Sequence, residues 1–137
     1  ILALIEQQKL VAEGAGAVAV AAAMFGKVPV DGKKVVALVS GGNIDVTILS
    51  RVITRGLTKS GRNCIVTVDL SDRPGQLAAV CGVIGSLGAN IISVTHERTA
   101  GSKQINGCTL RIVMETRNEE HIEHIKQGLA QAGYTVL

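Results

Sequence analysis

Ser40 closes an apolar run at residues 35–39 and is followed by Gly41, Gly42 and Asn43 before helical periodicity begins. A Ser-Gly-Gly-Asn turn at the carboxyl end of a buried strand is where open α/β sheets place ligands, because the amides of the next helix's first turn are unpaired there. Upstream, Gly14-Ala15-Gly16-Ala17-Val18-Ala19 fits the dinucleotide fingerprint G-x-G-x-x-A. The next apolar run ends in Ser40 rather than in the acidic residue that would take a ribose, and Asp45 falls in the following helix, so the nucleotide reading is set aside. Cys64, Cys81 and Cys108 are odd in number, widely spaced and embedded in apolar stretches, which reads as buried hydrophobes in a reducing compartment rather than a zinc or redox motif. The His121-x-x-His124 pair could clamp a metal, but Glu120, Glu123 and Lys126 around it look like a solvated helix face, so no metal is expected.

The bulk properties narrow the classes further. The 137 residues carry a formal charge of +3 with scattered Lys and Arg, and one Tyr and one Phe leave no stacking platform for bases, so no nucleic-acid partner is expected. The uncharged run at residues 14–26 is too short to span a bilayer and too rich in Gly and Ala for a signal core. A cytoplasmic protein without a membrane partner is the expectation.

Two unlike halves must position these residues. Up to about Thr58 the pattern predicts an apolar opening helix, a short strand ending near Glu13, a helix over 15–25, a turn at 27–34, a strand over 35–39 and a helix from Asn43. That is α/β grammar, and fewer than sixty residues cannot cover a strand apolar at every position and an Ala-rich helix. With no initiating Met and a start in helical sequence, this half is expected to be the closing piece of a larger α/β domain. The hydrophilic run at 58–63 marks the boundary, giving 1–60 and 61–137 as the two parts.

Beyond it the order reads βαββαβ, two helices on one face of a four-stranded antiparallel sheet, an α+β ferredoxin-like domain. Leu77, Val80, Ile84 and Leu87 form one helical stripe and Ile122, Ile125 and Leu129 another, while Leu110, Ile112 and Met114 face the helices and Arg111 and Glu115 face outward. Pro74 is expected at the first helical position with Ser71 and Asp72 as capping candidates, and Gly88 and Gly133 just past the two helix ends.

The run "SDRPGQLAAVCGVIGSLGANIISVTHER" resembles the opening of an ACT domain, a ferredoxin-like module that binds amino acids and regulates enzymes. The resemblance implies an effector site on Asp72, Pro74, Gly75, Gln76, Asn90 and Ile91. Gly75 would let a ligand approach the backbone, the helix N-terminus would favour a carboxylate, and Asn90 would hydrogen-bond an amino-acid backbone. It also implies a homodimer through residues 63–137, in which the 72–76 turn of one copy meets the Asn90 region of the other. A free-standing amino-acid-binding or dimerisation module stays open as an alternative.

The stretches "VAEGAGAVAVAAAM" and "VVALVSGGNID" are similar to the closing part of the catalytic domain of threonine ammonia-lyases, pyridoxal-phosphate enzymes of the tryptophan-synthase-β fold. Together with the ACT-like half they match the medium-length form of that enzyme, which turns threonine into 2-oxobutanoate and ammonia, a lyase of amino-acid metabolism and isoleucine biosynthesis. By this resemblance Ser40 hydrogen-bonds the cofactor's pyridine nitrogen, and Glu13 and Gly14 lie beside the ring. None of Lys9, Lys27, Lys33, Lys34, Lys59, Lys103 or Lys126 stands where the family's cofactor-linked lysine does. No catalytic residue and no bound pyridoxal phosphate are therefore expected in this chain by itself, whereas the longer parent would be an active enzyme.

Overall fold

The computed structural model describes residues 1–98 and 106–137; Lys103 lies outside them. Its contacts divide the chain into two compact units, Ile1–Gly56 and Leu57–Leu137.

In the second unit, β1 (Asn63–Ser71), β2 (Asn90–Glu97), β3 (Gly107–Glu115) and β4 (Thr135–Val136) form an antiparallel sheet in the order β2-β3-β1-β4. Numbering the helices along the whole chain, α3 (Gln76–Ser86) and α4 (Glu119–Gln131) connect β1 to β2 and β3 to β4. This is the expected βαββαβ arrangement. Strand alternation explains it: Val66, Val68 and Leu70 on β1 and Cys108, Leu110, Ile112 and Met114 on β3 share one face and are buried with Val80 and Ile84 of α3 and Ile125 and Leu129 of α4. Leu77, placed on the α3 stripe by spacing, is instead 41% exposed, because it sits in the first turn of α3 beside the open end of the sheet. Arg111 and Glu115 point to the other face and are exposed, as are Ile65 and Ile92. The pairing of β2 with β3 shifts register between Ile91 and Ser93, so Ile92 is an extra residue on that side.

Helix ends follow the backbone rules, with two departures from expectation. Gly88 and Gly133 do fall just past α3 and α4, each with positive φ. Pro74, however, is not the first residue of α3: it lies in a turn, and Gly75 at φ 87° is the N-cap. Neither Ser71 nor Asp72 caps the helix; no side chain does. At α4 the cap is Asn118, whose Oδ1 accepts from the His121 amide at 2.9 Å.

His121 is buried, not part of a solvated face. Its Nδ1 accepts from the Arg117 amide at 3.1 Å and its Nε2 lies 2.9 Å from the Leu87 carbonyl oxygen, so Nε2 carries the hydrogen and the ring is neutral. The imidazole thereby joins the end of α3 to the start of α4, and both of its nitrogens are committed. Replacing it, His121→Phe, keeps an aromatic ring, a somewhat larger one, but strands one donor and one acceptor, and is expected to cost about 1–3 kcal/mol in a urea titration. An unchanged midpoint would show that the two hydrogen bonds contribute nothing to stability.

The first unit contains a π-helical turn at Leu4–Gln8, α1 (Gly14–Met24) and α2 (Val46–Lys59), which runs on into the second unit. The strands expected near Glu13 and over 35–39 are not formed: neither segment belongs to a ladder, and the described residues of this unit contain no strand. A strand needs a neighbour to take its N–H and C=O groups, and here the ends of the two segments meet through the Glu13 N–H bond to the Gly41 carbonyl, 3.1 Å. The apolar side chains are correspondingly open, with Val36 95% and Leu38 76% exposed. Buried apolar residues reduce to Leu4, Ala12 and Ala17, with Ile1, Val20 and Val39 against them. Asp45 lies ahead of α2, not within it, and its Oδ1 accepts from the Thr47 and Ile48 amides at 2.8 and 3.1 Å.

Candidate functional site

Within the first unit, Glu13, Gly14 and Ser40 come together. Glu13 is extended and precedes α1, Gly14 begins the helix, and the segment at Ser40 and Gly41 lies across the helix start. The approach is close because of Gly16: a Cβ there would collide with the Ser40 carbonyl oxygen and come within 2.9 Å of the Gly41 oxygen. Gly41, at φ 82°, is held in the same way, since a Cβ would meet the Glu13 carboxylate. Two glycines thus allow a loop to rest on a helix N-terminus, and the Ser40 residue remains exposed there.

Within the second unit, a cleft of about 440 Å³ opens at the end of the sheet where β1 and β2 finish and β3 begins. Its walls include Asp72, Pro74, Gly75 and Gln76, four of the six residues predicted for an effector, together with His96 and Cys108. Asn90 and Ile91 are not in this cleft. They start β2, pairing with Glu115 and Met114, at the opposite end of the sheet. Seven residues of strand put Asn90 about 23 Å from the Glu97 end. Asn90 donates from Nδ2 to Glu115 Oε2 at 2.8 Å. The two predicted halves of the effector site are therefore separated within one copy of the chain.

Asp72 has partners that sequence spacing did not indicate. Its Oδ2 accepts from Arg98 Nε at 3.0 Å, and its Oδ1 lies 3.7 Å from His96 Nε2, beyond hydrogen-bond length. Cys108 is buried at the base of the cleft, and burial, followed by the charge of Asp72, pushes its thiol up from the ordinary value. Cys64 is likewise raised by burial, with a hydrogen bond to Thr116 opposing the shift. The one signal that could have found the Asp72, His96 and Cys108 group is strand parity. His96 is opposite Leu110 and Cys108 is opposite Leu70, so each residue falls on the core side of its strand, but only once the register is known.

Among the described residues, no helix is long and apolar enough to cross a membrane. The family model described as ACT domain matches residues 65–133. The L-threonine ammonia-lyase of Thermotoga maritima is 47% identical over 136 residues, which are 99% of this chain and 34% of that protein. The L-threonine ammonia-lyase of Geobacter sulfurreducens is 43% identical over the same shares. The catabolic L-threonine dehydratase TdcB of Staphylococcus aureus strain N315 is 51% identical over 57 residues, 39% of this chain and 16% of that protein. Among solved structures, the ACT domain from the GTP pyrophosphokinase of Chlorobium tepidum matches with a TM-score of 0.42 and 15% identity, covering 55% of this chain and 96% of that one. The chain spans about a third of the length of the ammonia-lyases it matches. With the βαββαβ sheet and a family match over half its length, the chain belongs to the ACT domain family, and its close relatives are L-threonine ammonia-lyases.

Proposed function

We propose that the chain is the regulatory end of a pyridoxal-phosphate-dependent L-threonine ammonia-lyase. Residues 1–60 are the closing piece of the catalytic domain, and residues 61–137 are an ACT domain that senses a small amino acid, pairs with a second copy and works in the cytoplasm. One observation carries this reading: two L-threonine ammonia-lyases align with 99% of the chain, so both units match one protein in one order. The surface of the first unit supports it. Eleven large apolar residues, among them Val18, Phe25, Val36, Leu38 and Val46, stand exposed there, as expected for elements that a larger domain would cover.

The residues present fit the ring end of the cofactor and no other part of it. The Gly16 and Gly41 contacts hold Ser40 beside Glu13 and Gly14, with the serine exposed, so its hydroxyl can donate to an unprotonated ring nitrogen. When bound, pyridoxal phosphate supplies an electron sink for the loss of water across the α and β carbons. Ser40 keeps its proton and orients the ring, since a hydroxyl is too weak an acid to protonate it. No lysine of this chain is assigned to the cofactor.

The test uses the longer enzyme. Ser40→Ala is expected to lower turnover about tenfold, the equivalent of one lost hydrogen bond, and Ser40→Asp to change the absorbance of the bound cofactor. Wild-type rate and spectrum in both variants would overturn the Ser40 assignment. The 137-residue chain by itself is expected to release no ammonia from threonine; release would overturn the division of the active site.

A further inference from the structure

Three adjacent strands converge on one point at the mouth of the cleft. β1 leads into Asp72, whose amide still bonds to the Asn106 carbonyl at 2.9 Å; β2 carries His96; β3 carries Cys108. A carboxylate oxygen, an imidazole nitrogen and a thiol sulfur, one from each residue, all lie within 4.8 Å of one another. Among the described residues this is the only such group of three or more potential ligands.

The donor set selects the ion. Sulfur and imidazole with a single carboxylate suit zinc and its neighbours, not magnesium or calcium, which require mostly oxygen. The dimensions agree: around tetrahedral zinc, with bonds near 2.0–2.3 Å, ligand atoms stand about 3.3–3.6 Å apart. The Asp72 Oδ1 to His96 Nε2 separation of 3.7 Å is close to that, too long for a hydrogen bond and short enough to close on an ion. Arg98 Nε engages Oδ2 at 3.0 Å while Oδ1 faces the imidazole, so Arg98 holds the carboxylate as an outer partner would.

We infer that this corner of the ACT sheet is a zinc-class site, with Asp72, His96 and Cys108 as protein ligands and a fourth position open to the cleft for water. Carboxylate and thiolate balance the two charges of the ion. The site does not depend on the lyase reading, because all three ligands belong to the ACT domain.

The test uses the chelator-treated 137-residue chain carrying Cys64→Ser and Cys81→Ser, so that Cys108 is its only thiol. Titration with zinc in a calorimeter is expected to show one ion per chain. Cobalt is expected to give a thiolate-to-metal charge-transfer band in the near ultraviolet, absent in Cys108→Ser. His96→Ala and Asp72→Asn, at partly exposed side chains, are each expected to weaken zinc at least tenfold without changing the circular dichroism. Should Cys108→Ser unfold the domain, the cobalt band and the His96→Ala affinity decide. No stoichiometric binding, no charge-transfer band, or undiminished affinity in His96→Ala would overturn the site.

Discussion

Gly61→Ala is expected to destabilise the ACT domain by roughly 3–5 kcal/mol, a large share of the stability of a domain this size. Two independent costs combine. Gly61 has φ 67°, as the residue after the C-cap of α2, where its amide bonds to the Thr58 carbonyl at 3.1 Å and the next amide, of Arg62, to Leu57 at 2.8 Å. A side chain in that conformation costs about 1–2 kcal/mol. Its Cβ would also collide with the Glu119 amide nitrogen and stand 2.7 Å from the Asn118 carbonyl carbon. Both obstacles are backbone at the start of α4, so relief requires moving that helix. The Gly61 and Arg62 carbonyls that accept from Thr116 Oγ1 at 2.6 Å and Thr116 N at 2.9 Å would move with it.

Gly88 separates the two costs. It has φ 84° but open space where a Cβ would be, so Gly88→Ala carries the conformational term alone, about 1–2 kcal/mol. Urea titrations of the two variants measure the difference directly. Equal losses would mean that α4 accommodates the Gly61 methyl freely and that the contact is not a constraint.

How far the sequence could be read depended on whether a signal was periodic or relational. The stripes on α4 and the alternation on β1 and β3 are periodic, and they predicted the covered face of the sheet down to Leu110, Ile112 and Met114. His121 belongs to the same stripe, four residues before Ile125 and eight before Leu129, but Glu120, Glu123 and Lys126 around it give the segment the pattern of a solvated face. Partners are relational. Asp72 looked like a helix cap because it precedes Pro74, yet Gly75 starts the helix and Asp72 turns to Arg98 and His96, more than twenty residues away. The segment at 35–39 was apolar enough for a strand, but a ladder requires a neighbour that no local pattern can provide. Nor does proximity in a motif imply proximity in space: the 72–76 turn and Asn90 flank one helix and stand at opposite ends of the sheet.

Gly16→Ala tests the other unit, and its largest expected effect is on the longer enzyme. The methyl would collide with the Ser40 carbonyl oxygen and approach the Gly41 oxygen and Ser40 carbon at 2.9 Å, all backbone atoms that cannot rotate aside. The loop must then lift from the helix start, and Ser40 with it. If Ser40 orients the cofactor ring, a displacement of about 1 Å lowers turnover by up to the roughly tenfold expected of Ser40→Ala, although the serine itself is intact. In the 137-residue chain the same shift breaks the bond from the Glu13 amide to the Gly41 carbonyl, so that amide is expected to exchange its hydrogen faster. Gly14→Ala, with no heavy atom within 4 Å of the new methyl, is expected to leave that exchange rate unchanged. Faster exchange in Gly16→Ala with undiminished turnover would separate the packing from the chemistry and remove Ser40 from the cofactor's contacts. Unchanged exchange would show that the loop yields without leaving the helix, and that the glycine is not what brings Glu13 and Ser40 together.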